Sequence, residues 1–590
     1  MKANAYELTT VLGYDRQLSA PLFQRPYVWE EEKQLEPFWN DLRSVTDQLL
    51  RGEVDVRPHF LGAVVLEQLS VPVGTPDSRS IIDGQQRLTT LEIFLAAFKN
   101  VCQDYLAGDD LSRQALGLIR NAYSKDPAYR FKVWPTNIDR EAYKAVMDAE
   151  SNEHLRELLT EHAVNSSSRI VKAYRYFNSC LSEWAVEGPQ APSDRLEALL
   201  NAVSQKVRLV VIDMDKDDDA QVIFETLNAR GTPLLPSDLV KNQLLRDAQK
   251  KDLDVQALYD KYWKPFEDED QFWRKDVRQG RLMRPQIDIF VAHYLALKRR
   301  DIISVPHLFS EFRSYLIEGD QSAEESLLNL REYATTFRRF DDYSPTSREG
   351  VFFSRLEALD TNMVIPVLLE VLKSPSQDGD HIRFIEILES YLVRRAICSL
   401  TYKNYNRVFA DLLRHLSRTE FRSDRLQEFL LSREGETSVW PSDNDFRHAI
   451  ETLPAYQKLK RSRVCMLLKA FEASLYQGKS ERIEILDDLT VEHIMPQKWI
   501  ENWPIGDNSV EAREARETLL HTFGNLTLVT DKLNPSLSNA GWNEKRQALQ
   551  QYSALALNRE LHDSDTWNEE TIRHRNRQIA DTALRIWPRE

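Results

Sequence analysis

The chain has 590 residues, with 77 Lys and Arg against 92 Asp and Glu and a formal net charge of -15. That length exceeds what one hydrophobic core organises, so two or three domains are expected. A hydrophobic content of 42%, with only 18 Gly and 24 Pro, excludes a disordered or collagen-like chain. The acidic balance excludes a uniformly basic coat for nucleic acid but not a local groove, because phosphate contact needs only Arg and Lys clustered within a Debye length.

Cys102, Cys180, Cys398 and Cys465 lie far apart with no CxxC pair, which reads as buried thiols in a reducing compartment. The N-terminal MKANAYELTTVLGYDRQLSAP lacks the apolar core of a signal peptide, and no window carries the 18 apolar residues of a membrane span. A cytoplasmic protein without a membrane segment is expected.

In chain order, residues 1 to about 245 mix strand and helix patterns. His59 to Leu69 and Val207 to Asp213 are β-branched and apolar enough for buried strands, and Ser80-Ile81-Ile82 is a short third candidate. The Asp83-Gly84 step signals a turn. Gln85 to Asn100 then has helical apolar spacing at Leu88, Leu91, Phe94, Leu95 and Phe98. Asp83-Gly84-Gln85-Gln86-Arg87 therefore falls where a strand turns into a helix. A helix N-terminus offers free N–H groups and a partial positive charge to a phosphate. Asp83 is a candidate to hold Mg²⁺ or orient a water, Gly84 to let the backbone approach closely, and Arg87 to contact a phosphate. An N-capped helix after an ordinary turn would read the same. The segment is neither a GxxxxGK[ST] nor a GxGxxG loop.

Three more segments accompany it. Gln24-Arg25-Pro26-Tyr27-Val28-Trp29 offers an arginine and two aromatics in a Pro-fixed extended stretch, suited to clamping a phosphate and stacking on a base. His59-Phe60-Leu61-Gly62 opens the first strand. Ile223 to Gly231 leads through Pro233-Leu234 to Asp238-Leu239-Val240-Lys241-Asn242.

Residues from about 246 to 440 read as mainly helical, Tyr391 to Leu413 being one example. Arg274, Lys275, Arg278, Arg281 and Arg284 form a basic stretch there, either a solvated helix face or a phosphate-contacting edge. From about 441 onward, Leu489 to Ile494 and Leu526 to Thr530 suit two strands, and Trp542 to Tyr552 a following helix. Glu492-His493-Ile494-Met495-Pro496 and Gly524-Asn525-Leu526-Thr527-Leu528, then Asn534, lie on that frame. An acidic residue beside a histidine, with two asparagines nine apart, suffices for one divalent metal next to one general base. Glu492 and Asn534 are the candidate metal ligands, His493 the base and Asn525 a brace for the loop. Asn539 is the alternative to Asn534. Lys545, Arg573 and Arg577 are candidates for DNA phosphates. One hard cation held by oxygen donors and water fits such a set.

Taken together, the RPY-W segment, the FLG strand, the DGQQR turn and the IFE-LN-RG-PL-DLVKN block resemble the ParB-like domain of the GmrSD-type modification-dependent restriction enzymes, over roughly residues 5 to 245. The Glu-His-Ile-x-Pro, Gly-Asn-Leu-Thr-Leu, Asn and Ser538-Asn539 series resembles the HNH-type nuclease domain fused to it in the GmrSD and BrxU group, over about 485 to 588. The resemblance implies an α+β, predominantly helical protein. It would have a small ParB-like mixed sheet with helices at 1–245, a helical connecting region at 246–440 and a ββα-metal domain at 441–590.

It implies nucleotide binding and hydrolysis through Asp83, Gly84, Gln85, Gln86 and Arg87, with Arg25 and Tyr27 as further NTP contacts. It implies a DNA endonuclease using Mg²⁺ or Mn²⁺. Its target would be double-stranded phage DNA with modified bases such as glucosylated hydroxymethylcytosine, and its assembly state could include a homodimer. The rival expectation is a nucleotide-gated DNA-binding or adaptor protein whose HNH-like fold is inactive; the intact Glu492, His493 and Asn534 set speaks against it.

Overall fold

The computed structural model describes residues 2–21, 24, 26–69, 75–105, 110–122, 127–136, 139–214, 235–279, 282–319, 321–374, 378–476, 488–506, 509–534 and 539–590. The chain is α+β and predominantly helical, and it divides into two compact units, Met1–Lys264 and Pro265–Glu590. All four cysteines are free, but only Cys102 is buried as expected; Cys180, Cys398 and Cys465 are partly exposed. Among the described residues no helix is long and apolar enough to cross a membrane.

The first unit is built on a six-stranded mixed sheet of β1 (Lys2–Glu7), β2 (Arg16–Ser19), β3 (His59–Gln68), β4 (Asp77–Asp83), β5 (Val133–Trp134) and β6 (Val207–Met214), in the order β1-β6-β3-β4-β2-β5. Alternation along the central strands buries both faces. Val64, Leu66, Leu209 and Val211 join the large helical core, while Val65, Ile212 and Met214 form a smaller cluster on the other side. Helix α1 (Gln85–Tyr105) follows β4 directly and is buried on nearly every side from Leu88 to Cys102. Such a helix is the core of its unit, not its surface. It packs against α2 (Arg169–Ala185), where Phe94 and Phe177 meet edge to face at 5.5 Å. Helix α3 (Pro236–Lys250) contributes Leu239 to the smaller cluster. The segment Ile223 to Leu234 lies outside the described residues.

The second unit is helical apart from two antiparallel pairs. Its first departure from expectation is the basic stretch after Arg274. Asp276–Gln279 (β7) pairs with Leu282–Pro285 (β8), so Arg278 and Arg284 stand on a hairpin and not on a helix; Arg281 lies outside the described residues. The second departure is the run from Tyr391 to Leu413. It is two helices, α4 (Asp380–Ile397) and a later one at Tyr405–Leu416. The break falls at Ser399, in the left-handed region at φ 54°, after which the Leu400 N–H turns back onto the Arg395 carbonyl at 3.0 Å. Left-handed closure satisfies carbonyls that a helix end leaves free.

Helix α4 then clamps the end of the chain. Arg394, fully buried, donates from Nε to the Trp587 carbonyl (2.8 Å) and from Nη1 to the Pro441 carbonyl (3.2 Å), and pairs with Asp443 (2.7 Å). Ser390 Oγ donates to the Pro588 carbonyl at 2.6 Å, and the Trp587 indole N–H to Glu389 at 2.7 Å. These bonds tie the helical region before residue 440 to the C-terminal segment within one unit. The remaining helices used below are α5 (Arg461–Ser474), α6 (Val510–Leu520), α7 (Trp542–Tyr552) and α8 (Glu569–Ile586). Trp587 is 1% exposed. Trp587→Ala should therefore lower the stability of this unit by about 3–5 kcal/mol, as burial loss and cavity together dictate; denaturant melts that move by less than about 1 kcal/mol would show that the clamp contributes little.

Candidate active site

In the first unit the DGQQR turn is held by its neighbours. Gly84 has φ +97°, and a Cβ there would lie 2.9 Å from Val64 Cγ2 and 3.1 Å from the Ala63 carbonyl. Only glycine fits that turn. Arg87 lies against Gly62, where a Cβ would meet its Nε at 3.2 Å, and donates from Nη1 to the Ala63 carbonyl at 2.5 Å. The FLG strand and the DGQQR turn thus need each other's shape.

The RPY-W segment is fastened to the same turn. Gln24 Nε2 donates to the carbonyls of Ile81 (2.5 Å) and Ile82 (3.1 Å). Gln86 accepts the Val28 N–H at 2.9 Å and donates to the Pro26 carbonyl at 3.1 Å. Tyr27 is 4% exposed, with its hydroxyl 2.6 Å from Thr90 Oγ1 and its N–H bonded to Asp139 at 2.7 Å. Burial raises its phenol well above the ordinary value. Expected to stack on a base, Tyr27 is instead a core residue of this structure. Arg25 lies outside the described residues. Gln85 and Asp83 are half-buried, and Asp83 makes no side-chain hydrogen bond among the described residues.

In the second unit β9 (Leu489–His493) pairs antiparallel with β10 (Leu526–Thr530), placing Leu526 opposite His493 and Thr527 opposite Glu492. Helix α7 follows, giving a ββα order. Asn525 is fully buried. Its Oδ1 accepts from the Met495 N–H (2.8 Å) and the Trp567 indole (3.0 Å), and its Nδ2 donates to the carbonyls of Met495 (2.9 Å) and Leu520 (3.0 Å). Asn525 thus has the contacts of a brace.

Glu492 pairs with Lys545 at 2.8 Å, and the same ammonium donates to the His493 carbonyl at 2.8 Å. Lys545 is 1% exposed, so the residue expected at a DNA phosphate is the counter-ion of Glu492 instead. Asn534 Nδ2 donates to Thr490 Oγ1 at 2.9 Å, on the strand face that Glu492 shares, since residues two apart project together. Asn539 gives its carbonyl to Asn502 at 2.8 Å.

His493 makes a different set of contacts. It is 5% exposed, with Nε2 3.3 Å from His521 Nδ1 and Nδ1 3.5 Å from Gln497 Nε2. The Tyr456 ring meets it edge-on at 4.2 Å. Burial, with His521, Lys545 and Arg461 adding, pushes the imidazole down to about 3. His493 is therefore neutral near pH 7, the protonation state a general base requires. Arg573 and Arg577 lie on the exposed side of α8, while Arg575 between them points inward and donates to the carbonyls of Gly524 (3.0 Å) and Leu526 (2.9 Å).

The pattern of the GmrSD restriction endonuclease N-terminal domain matches residues 8–245, and that of the GmrSD restriction endonuclease C-terminal domain matches residues 440–582. The chain belongs to the GmrSD restriction endonuclease family. No curated protein matches it. Both GmrSD domains stand in one polypeptide, which makes it a restriction endonuclease with DNA as its partner.

Within the GmrSD C-terminal domain, the described residues contain no group of three or more His, Cys, Asp and Glu that could hold a metal. Glu492, paired with Lys545, and Asn534 are the oxygen donors that the sequence offers a divalent ion. The Asn534 amide nitrogen is engaged by Thr490, which leaves its side-chain carbonyl oxygen as the donor. Two oxygen donors completed by water suit Mg²⁺ or Mn²⁺. His521, Tyr456, Gln497 and Arg575 were not legible as site residues; only the position of His521, three before Gly524, hinted that it lies near the loop.

The depressed His493 has a consequence for stability. An unfolded imidazole titrates near 6.5, so on acidification the unfolded chain takes up the proton first. Stability of the metal-free second unit should be level above about pH 7 and fall as pH drops from about 6.5 toward 3. In His493→Gln that fall should be shallower, a comparison that denaturant melts at fixed pH will decide.

Proposed function

We propose that this GmrSD enzyme is an NTP-regulated, metal-dependent endonuclease that cuts modified phage DNA, glucosylated hydroxymethylcytosine being the type of base expected. The observation that carries the nuclease reading is the buried His493 at the end of the β9–β10 ribbon, next in sequence to Glu492, with Asn534, beyond β10, bonded to Thr490 of that ribbon. In the reaction, His493 takes the proton of a water whose oxygen bonds to phosphorus, and the P–O bond to the leaving oxygen breaks. Glu492 and Asn534 would hold a divalent ion, which would supply charge stabilisation to the developing transition state. Lys545 holds the Glu492 carboxylate in an ion pair at 2.8 Å, and Asn525 keeps the turn after His493 in place.

For the nucleotide, Asp83 is the residue to weigh. It stands at the N-terminus of α1 with no side-chain partner among the described residues, whereas Arg87 already gives one N–H to Ala63. We assign to Asp83 a contact to an NTP-bound Mg²⁺ or to the attacking water. An unregulated nuclease would endanger its own genome, so nucleotide turnover is the available control. It acts only if the NTP binds one conformation or assembly, a homodimer included, better than another. The helical region that clamps Trp587 is the candidate relay on the nuclease side.

The tests separate the activities. Purified protein should cut DNA only with Mg²⁺ or Mn²⁺, and His493→Ala should lower the rate by about 10²–10⁴-fold or more with an unchanged circular dichroism spectrum. Cutting at the wild-type rate would remove the assignment. Absence of cutting by the wild type with either metal would favour the rival reading of an inactive, nucleotide-gated adaptor, with Glu492 serving only as the partner of Lys545. Asp83→Ala should reduce NTP hydrolysis and alter cleavage of modified DNA, while His493→Ala leaves hydrolysis nearly intact. Matched modified and unmodified phage genomes, each with and without NTP, give the substrate and the sign of control in one experiment.

A further inference from the structure

A second histidine touches the general base, and the mechanism above does not use it. His521 follows α6 and is 6% exposed. Its Nδ1 lies 3.3 Å from His493 Nε2, with the two rings nearly perpendicular at 87°. The surroundings fix its place. The His521 carbonyl accepts the Tyr456 N–H at 3.0 Å, and the Tyr456 ring lies nearly parallel to the imidazole, at 17° and 5.9 Å between centroids.

Two imidazoles share a hydrogen bond only if one nitrogen carries a proton and the other a lone pair. The far side of His493 decides which. Its Nδ1 faces the amide nitrogen of Gln497 at 3.5 Å, and an amide nitrogen donates. Nδ1 therefore keeps its lone pair, Nε2 carries the proton, and His521 Nδ1 is the acceptor.

We propose that His521 is a positioning residue for the nuclease reaction: by accepting the Nε2–H of His493 it fixes the tautomer whose Nδ1 is the base nitrogen. The inference rests on the reading of His493 as the base. Its physical content is differential. When the attacking water displaces the 3.5 Å contact of Gln497 and Nδ1 takes its proton, His493 becomes a cation in a buried place. The Lys545 ammonium is bonded to its own carbonyl, and Arg461 lies 3.0 Å over the neighbouring Tyr456 ring. None of these favours a positive ring. The bond to His521 does, because it becomes charge-assisted at that moment. An interaction that strengthens between ground and transition state raises the maximal rate and leaves substrate affinity alone. Partners that orient a metal-bound histidine through its other ring nitrogen are typically worth about 10–100-fold in activity, and the same order is expected for His521.

Single-turnover cleavage by wild type, His493→Ala, His521→Ala and His521→Asn tests this. The asparagine oxygen takes the place of the His521 Nδ1 acceptor. His521→Ala should cut about 10–100-fold more slowly at saturating DNA with an unchanged half-saturating DNA concentration, and His521→Asn should recover most of the loss. A second readout needs neither metal nor DNA. In ¹⁵N spectra of histidine-labelled protein, the His493 ring, identified by its disappearance in His493→Ala, should show a protonated Nε2 and a bare Nδ1 in wild type. It should shift to a mixture of tautomers in His521→Ala and return in His521→Asn. Unchanged His493 nitrogen shifts in His521→Ala, or an equal loss of rate in the alanine and asparagine variants with a lowered melting temperature, would overturn the proposal and leave His521 a packing residue. Full activity in His493→Ala is a separate result and would remove the reading of His493 as the base.

Discussion

The side-chain amide of Asn525 is the contact on which the nuclease site depends. An amide has two N–H donors and two carbonyl lone pairs, and Asn525 uses all four, on Met495 twice, on Leu520 and on Trp567. It stands at the start of β10 and holds the backbone two residues beyond His493, so it sets where β9 ends and which way the chain leaves it. Arg575 repeats the device from α8, donating to the carbonyls on either side of Asn525. Each buried group orphaned by loss of such a partner costs about 1–3 kcal/mol. The end of β9 that carries His493 is thus placed by buried hydrogen bonds, most of them to backbone.

The first unit uses the same economy. Gln24 and Gln86 grip backbone groups of the β4 end and of the RPY-W segment, and Arg87 grips a β3 carbonyl. Motif residues that a chemical reading assigns to a ligand are here partly occupied in joining three chain segments at one turn. That narrows the chemistry to what is left over: Asp83, half-buried and without a described partner, and the backbone at the start of α1.

This difference explains what the sequence could disclose. Strands β3, β4, β6, β9 and β10 were legible because alternation and β-branching follow directly from burial on a pleat, and α1 because its apolar spacing began at a turn. The hairpin at Asp276–Pro285 was hidden by its charges, which read equally as a helix face. The break at Ser399 was hidden because no glycine marks it. At the site, residue types announced Glu492, His493 and Asn534, but partners did not. Nothing in the spacing of Lys545 says that its ammonium is spent on Glu492, and nothing in Tyr456 or His521 says that they meet His493. Such pairings arise from tertiary packing over separations of 28 to 53 residues, beyond the reach of any local pattern.

The Glu492–Lys545 pair also decides how the metal assignment must be probed. Lys545 is almost wholly buried, and the described groups that meet its charge are one carboxylate oxygen and one carbonyl. Glu492→Ala would leave that ammonium unpaired in the interior, and breaking a buried pair in this way typically costs about 3–5 kcal/mol. Loss of cleavage in Glu492→Ala would then follow equally from an absent metal ligand and from a displaced α7. Glu492→Gln keeps an oxygen acceptor for Lys545 while removing the negative charge that a divalent ion requires. If Glu492 is a ligand, the glutamine variant should retain most of its melting temperature yet bind Mn²⁺ more weakly by titration calorimetry. Its cleavage should recover in part when the metal concentration is raised. Equal Mn²⁺ affinity in wild type and Glu492→Gln would place the ion elsewhere and leave Glu492 the structural anchor of Lys545.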